Sequence, residues 1–191
     1  QSLAFARLEQ KRGIRSSYFI QPKYIRDRKP AIFSSAADFE LLGQLTGIGM
    51  DLQSQAVSGS YLFDQFEQGS GDETYPSYRP YDYAFEKNYG GTVFGEMRIS
   101  RYLIDRFSQP GTAIAFRSGF PYTPFTYPQS LLSSGYRFGS TIPANQTLTH
   151  FPVQLTFNRE YDEDMDVVEF PLTDDDQLPP FRAEQRIRTS M

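Results

Sequence analysis

Metal or nucleophilic chemistry in this chain would have to start from very few side chains. Among 191 residues there is one histidine, His150, and no cysteine. A catalytic zinc takes three protein ligands, so His150 would need two carboxylates beside it. Asp51 and Asp64 are available, but the strand position of Asp51 points to packing or support rather than ligation. The acidic runs Asp162-Glu-Asp164 and Asp174-Asp-Asp176 lack the spacing of a calcium loop and read as solvated surface. Without cysteine there is no thiolate nucleophile and no disulfide framework. No Gly-x-Ser-x-Gly elbow, phosphate-binding loop, dinucleotide fingerprint or His-Glu-x-x-His pair occurs. Asn145-Gln-Thr147 is a formal glycosylation sequon, a tripeptide common by chance. Binding chemistry is better represented. Tyr61, Tyr75, Tyr78, Tyr81 and Tyr83 crowd one segment, where their rings could stack on sugars or simply pack.

Composition narrows the class. A net charge of −4 argues against a nucleic-acid backbone as partner, because phosphate binding needs a basic surface. Hydrophobic residues make up 39% and charged residues 22%, as in a globular domain, and no apolar run is long enough to span a membrane. The segment from Gln1 to Arg12 is amphipathic and has no signal-peptide core. A chain without cysteine suits oxidising and reducing compartments alike. The length fits a single domain over 1–191.

The elements that would position these residues alternate. Ser2 to Lys11 reads as a helix with Leu3, Ala6 and Phe5 inward and Gly13 as its left-handed stop. A strand follows over Ile14 to Ile20, then a basic, solvated connector with Lys23, Arg26 and Arg28. Ser35 and Asp38 form a capping pair for a second helix carrying Phe39, Leu42 and Leu45, ended by Gly47 and Gly49. Met50 to Gln53 is the next strand. Residues 54–91 are rich in Gly, Ser, Pro, Tyr and acid, and form a long rim loop. Thr92 caps a third helix to about Phe107, with Val93, Met97, Ile104 and Phe107 inward. Thr112 to Phe116 is a strand, and Pro128 opens a short helix closed by Gly135. Tyr136 to Ser140, Phe151 to Phe157 and Val167 to Phe170 are the remaining strands. Alternation with long connections implies parallel strands in an α/β sheet or barrel.

Five fragments stand in a telling order: Arg12-Gly-Ile-Arg-Ser-Ser-Tyr-Phe-Ile20, Leu41-Leu-Gly-Gln-Leu-Thr-Gly-Ile-Gly-Met-Asp-Leu-Gln-Ser-Gln-Ala-Val-Ser-Gly-Ser60, Phe116-Arg-Ser-Gly-Phe120, Gly135-Tyr-Arg-Phe138 and Val168-Glu-Phe-Pro171. Their serial order resembles the polysaccharide deacetylase family, the NodB-homology or carbohydrate esterase 4 domain, from the first helix to about Asp176. The resemblance implies an irregular (β/α) barrel that removes acetyl groups from N-acetylated sugars. It also implies a divalent metal, usually zinc, on one Asp and two His, with a second Asp as general base. Such a metal polarises the amide carbonyl and activates water, while a carboxylate removes the proton. By the same resemblance, an extracytoplasmic or secreted location is favoured.

The chain departs from that pattern at each decisive position. The family's two histidines fall on Gln55 and Gly59. Glycine has no ligating side chain, and a glutamine amide is a poor replacement for imidazole at zinc. The paired aspartates belong to a first strand that precedes Gln1. In the Arg-x-Pro motif Arg117 remains but Ser118 occupies the proline position, which suits Arg117 to a structural salt bridge or hydrogen bond. Leu148-Thr149-His150 is similar to the motif whose histidine serves as general acid. His150 and Arg117 are therefore the candidate catalytic residues. Metal ligands are not expected, so no cofactor is expected either.

Two expectations follow. One is a carbohydrate-binding or assembly module whose metal site has been lost. The other is a metal-dependent deacetylase completed by an upstream segment or a partner. A barrel without its first strand exposes a sheet edge, which predicts self-association or a protein partner.

Overall fold

Helix α1 (Ser2–Lys11) stops where Gly13 takes a φ of +71°, as its sequence requires. The Gly13 amide bonds to Gln10 O at 3.0 Å and the Ile14 amide to Glu9 O at 3.0 Å, which closes the helix end. Ala6 is buried and Leu3 half-buried, whereas Phe5, expected inward, is 59% exposed. The structure, a computed structural model, describes residues 2–24, 36–82, 85–118, 123–140, 153–158 and 164–169. Tyr83, His150, Ser35, the sequon and both acidic runs apart from Asp164 lie outside them.

Strand β1 (Ser17–Ile20) leads through a short 3-10 turn, Pro22–Tyr24, to α2 (Ala36–Gly47). Phe39, Leu42 and Leu45 of α2 are buried, as their helical spacing predicts. Strand β2 (Asp51–Ser54) is followed by the long segment, which contains a 3-10 turn, Phe63–Gln65, and a small antiparallel pair, β3 (Tyr81–Asp82) with β4 (Lys87–Asn88). Helix α3 (Val93–Phe107) starts at Thr92, whose backbone is extended and whose Oγ1 accepts the Gly95 amide at 3.0 Å. Strand β5 (Ala115–Arg117), helix α4 (Tyr127–Ser133) with Pro128 in its first turn, and strand β6 (Phe138–Ser140) come next. Strands β7 (Val153–Asn158) and β8 (Asp164–Glu169) complete the described elements.

The main sheet has six strands in the row β1-β2-β5-β6-β8-β7. β1, β2, β5, β6 and β8 run parallel, the α/β arrangement read from the alternation. β7 departs from it by pairing antiparallel with β8, from Val153 opposite Glu169 to Asn158 opposite Asp164. The reason is length: residues 159–163 are too few for a crossover, which needs a dozen or more. β1 and β7 stand at the two ends of the row, and no pairing joins them among the described residues.

One sheet face is packed by helices. Leu52 and Phe116 from the strands meet Met97, Leu103 and Ile104 from α3, all fully buried. Each such side chain contributes about 1.5–3 kcal/mol by leaving water. On the opposite face Ser17, Phe19, Asp51, Gln53 and Ala115 line an open groove of about 340 Å³. Gln53 binds the sheet where its ladder is sparse. β2 and β5 share one register pair, Ser54 with Phe116. The Gln53 Oε1 accepts the amides of Ile114 and Ala115 at 3.0 and 2.7 Å.

Candidate functional site

In open α/β sheets ligands bind beyond the carboxyl ends of the parallel strands. Here that end carries Gln21 after β1, residues 55–60 after β2, Arg117 and Ser118 at β5, and Ser140 at β6. Asp51 lies at the other end of β2. It accepts hydrogen bonds from Ser17 Oγ and Gln53 Nε2, both at 2.8 Å, so it supports the sheet and is remote from the strand-end cleft.

The turn after β2 is wound tightly and buried from Ala56 to Ser60. Ala56 holds a φ of +58° and Gly59 a φ of +60°. The Gln55 amide extends the ladder to Ile20 O at 2.8 Å, and the Lys23 amide reaches Val57 O at 3.2 Å. Beneath the turn sits Glu96, fully buried on α3. Its Oε2 accepts the Ser58 amide at 2.7 Å and the Ser58 hydroxyl at 3.0 Å. Its Oε1 accepts the Tyr78 hydroxyl at 3.0 Å. Burial raises the pKa of Glu96 above the usual carboxylate value, opposed by these hydrogen bonds. Tyr78 is raised well above the ordinary tyrosine value, first by burial and then by the Glu96 charge.

Lys23 departs from the solvated role its basic neighbourhood predicts. It is 3% exposed, with Nζ donating to Tyr81 O at 2.7 Å and lying 3.7 Å from Asp82 Oδ2. Burial lowers its pKa, while the charges of Asp82 and Glu96 act in the opposite direction. Composition suggested water because nothing nearby in sequence could pair the ammonium. The β3 carbonyl that does so is 58 residues away.

The positions singled out from sequence fare differently. Gln55 is half-buried at the mouth of the turn, and Gly59 is buried. A Cβ on Gly59 would lie 2.8 Å from Gln21 Cδ and closer still to its amide nitrogen. The space where a side chain would emerge is thus filled by Gln21. Arg117 is half-buried and makes no salt bridge or side-chain hydrogen bond with a described residue. Ser118 is buried beside it. Of the tyrosines, Tyr61 is 36% exposed, with Tyr81 edge-on to it at 5.8 Å. Tyr78 and Tyr81 are buried in the core, and Tyr75 pairs at 6.3 Å with Tyr102 of α3. Asp64 is exposed on the 3-10 turn.

Sequence reasoning passed over Glu96, although a signal existed. Val93, Glu96, Met97, Ser100 and Ile104 share one helical stripe, so a carboxylate stood at an inward position. Gln21 and Gln53 carried no comparable mark.

The donor set does not fit zinc. Gly59 cannot ligate, Gln55 offers only an amide, and the Gln21 side chain occupies the space beside Gly59. Among the described residues no three His, Cys, Asp or Glu side chains converge on a metal-sized site. No helix among them is long and apolar enough to cross a membrane.

No family model and no curated protein sequence matches the chain. Solved structures do. A protein from Mycobacterium smegmatis described as a polysaccharide deacetylase superposes with a TM-score of 0.54 at 12% identity, over 96% of this chain and 54% of its own. The Streptococcus pyogenes deacetylase PplD, solved with acetate, covers 73% of this chain and 49% of its own at 16% identity and a TM-score of 0.48. The chain spans about half the length of these structures, and the likeness is one of fold.

Proposed function

We propose that this chain is a polysaccharide-deacetylase-like domain that binds glycan at the carboxyl ends of its strands and performs no metal-dependent deacetylation with its own residues. The observation that carries the reading is the buried turn at Gly59, with its positive φ and the Gln21 side chain packed where a ligand would have to emerge. The fold shared with a structure described as a polysaccharide deacetylase supports a glycan as partner, and an extracytoplasmic setting with it. Tyr61 is the ring of the long loop best placed to stack on a sugar, and Arg117, half-buried without a described partner, can donate to sugar hydroxyls.

The test measures zinc by elemental mass spectrometry after equilibration with micromolar zinc and desalting, together with binding of chitin hexasaccharide. Zinc near zero, with glycan binding lost in Tyr61→Ala, is the expected result. One tightly held zinc per chain would overturn the reading and make His150 the first ligand to substitute.

A second reading is favoured by the end of the sheet. β1 pairs only with β2 among the described residues, and α1 beside it exposes Phe5 at 59% and Leu8 at 46%. A strand laid along β1, from an upstream segment, a second copy or a partner, would continue the row toward a barrel and cover this surface. Such a strand could bring the carboxylates of a metal-dependent deacetylase to the cleft, with Arg117 and His150 assisting. Deacetylase activity appearing only in a longer chain or a complex would decide for it.

A further inference from the structure

We propose that the outward face of α3 is a second docking groove, built for a carboxylate-bearing glycan. Arg98, Arg101, Tyr102, Asp105 and Arg106 recur at spacings of three and four, so they share one face of the helix. With Ser134 at the end of α4 they line a shallow groove of about 360 Å³. From Arg98 to Arg106 the face runs ~12 Å along the axis, the length of a few sugar residues. In a chain of net charge −4, this face sets three arginines against one carboxylate, Asp105.

All three arginines are held in place, and two of them, Arg98 and Arg106, are not paired with a carboxylate of a described residue. Arg98 donates to Gly71 O and lies over the Phe94 ring at 5.8 Å. Arg106 donates to Tyr102 Oη and lies over the rings of Tyr102 and Phe107 at 5.7 and 5.6 Å. Arg101 donates to Ser134 O at 2.8 Å and sits 3.6 Å from Asp105. Neither Arg98 nor Arg106 has a carboxylate within salt-bridge distance among the described residues. A guanidinium has five N–H donors, so most of theirs remain for a ligand. Ring and carbonyl contacts fix the forks beforehand, which lowers the ordering cost of binding. A planar fork matches a carboxylate with two parallel hydrogen bonds. Tyr102, 44% exposed and in ring contact with Tyr75, adds apolar surface between the charges for the apolar side of a sugar. A nucleic acid would meet too much negative charge elsewhere on the chain. The choice of a glycan over an acidic peptide rests on the glycan reading proposed above; the basic groove itself does not.

The experiment titrates hexagalacturonate, chitin hexasaccharide and poly-glutamate into the intact chain by calorimetry, at low and high salt. It compares wild type, the double variant Arg98→Ala/Arg106→Ala, the double variant Arg98→Lys/Arg106→Lys and Tyr61→Ala. Hexagalacturonate affinity should fall about tenfold or more in the alanine double variant, recover in part with lysine, weaken with salt, and stay unchanged in Tyr61→Ala. No binding, or no loss in a folded alanine variant, would overturn the proposal. Equal binding of poly-glutamate through the same arginines would reassign the groove to an acidic protein. Arginine-dependent binding of the neutral chitin oligomer would refute the charge argument. If Tyr61→Ala leaves chitin binding intact, the strand-end reading fails while the groove stands.

Discussion

The two faces of α3 put charge to opposite uses. On its inner face Glu96 is fully buried, and its oxygens are committed to Ser58 and Tyr78. On its outer face Arg98 and Arg106 are exposed and spend one nitrogen each on a carbonyl or a hydroxyl. A buried charge is tolerable only when the fold satisfies it, so it becomes a fastener for the strand-end turn. An exposed charge costs little and keeps its donors, so it is free to recognise something else. The same 15-residue helix thus closes one site and opens another.

Breaking the inner fastener should have the largest effect. Glu96→Ala leaves the Ser58 amide and the Tyr78 hydroxyl without their acceptor and should cost about 3 kcal/mol in urea unfolding. A loss below about 1 kcal/mol would mean that the turn holds itself. Thr92→Ala removes the cap that accepts the Gly95 amide and should cost about 1 kcal/mol, separating helix stability from the turn's.

Glu96→Gln tests the protonation state. The folded pKa of Glu96 is raised, so the folded chain holds its proton longer than the unfolded one does. Its favourable contribution is present below the unfolded value and is lost as pH rises through the folded one. The stability difference between Glu96→Gln and wild type should therefore shift toward the variant as pH is raised from 4 to 8 (a range chosen about the ordinary carboxylate value of roughly 4.3). A difference independent of pH would show that the carboxylate titrates alike in both states. Smallest of all, Arg98→Ala/Arg106→Ala should leave stability within about 0.5 kcal/mol of wild type, since neither guanidinium is buried.

Much of the helical framework was legible beforehand because its signals act within one turn. Gly13 at the end of α1, the Phe39, Leu42 and Leu45 stripe of α2, Thr92 before α3 and Pro128 in α4 all fell where expected. The strands shifted by one to three residues, since short apolar runs mark a strand better than they mark its ends. The long segment was less legible. Its crowded tyrosines read as a rim, but Tyr78 and Tyr81 go into the core, and a two-residue pairing of β3 with β4 had no turn signature.

Of the candidate site, residue type alone was legible. The family resemblance implies histidines at Gln55 and Gly59, and the donor chemistry of an amide or a glycine is the same in any fold. What fills the gap could not be read, because Gln21 meets Gly59 from another strand end. By itself the sequence determined the helices, the parallel alternation and the poverty of metal donors, since each depends on residue type or on neighbours within a few positions. Tertiary structure alone decided that Lys23 is buried against Tyr81, that Glu96 holds Ser58 across 38 residues, and that β7 turns back on β8. Those outcomes depend on which distant groups satisfy a buried charge or an unpaired strand, and such partners meet only once the chain has closed on itself.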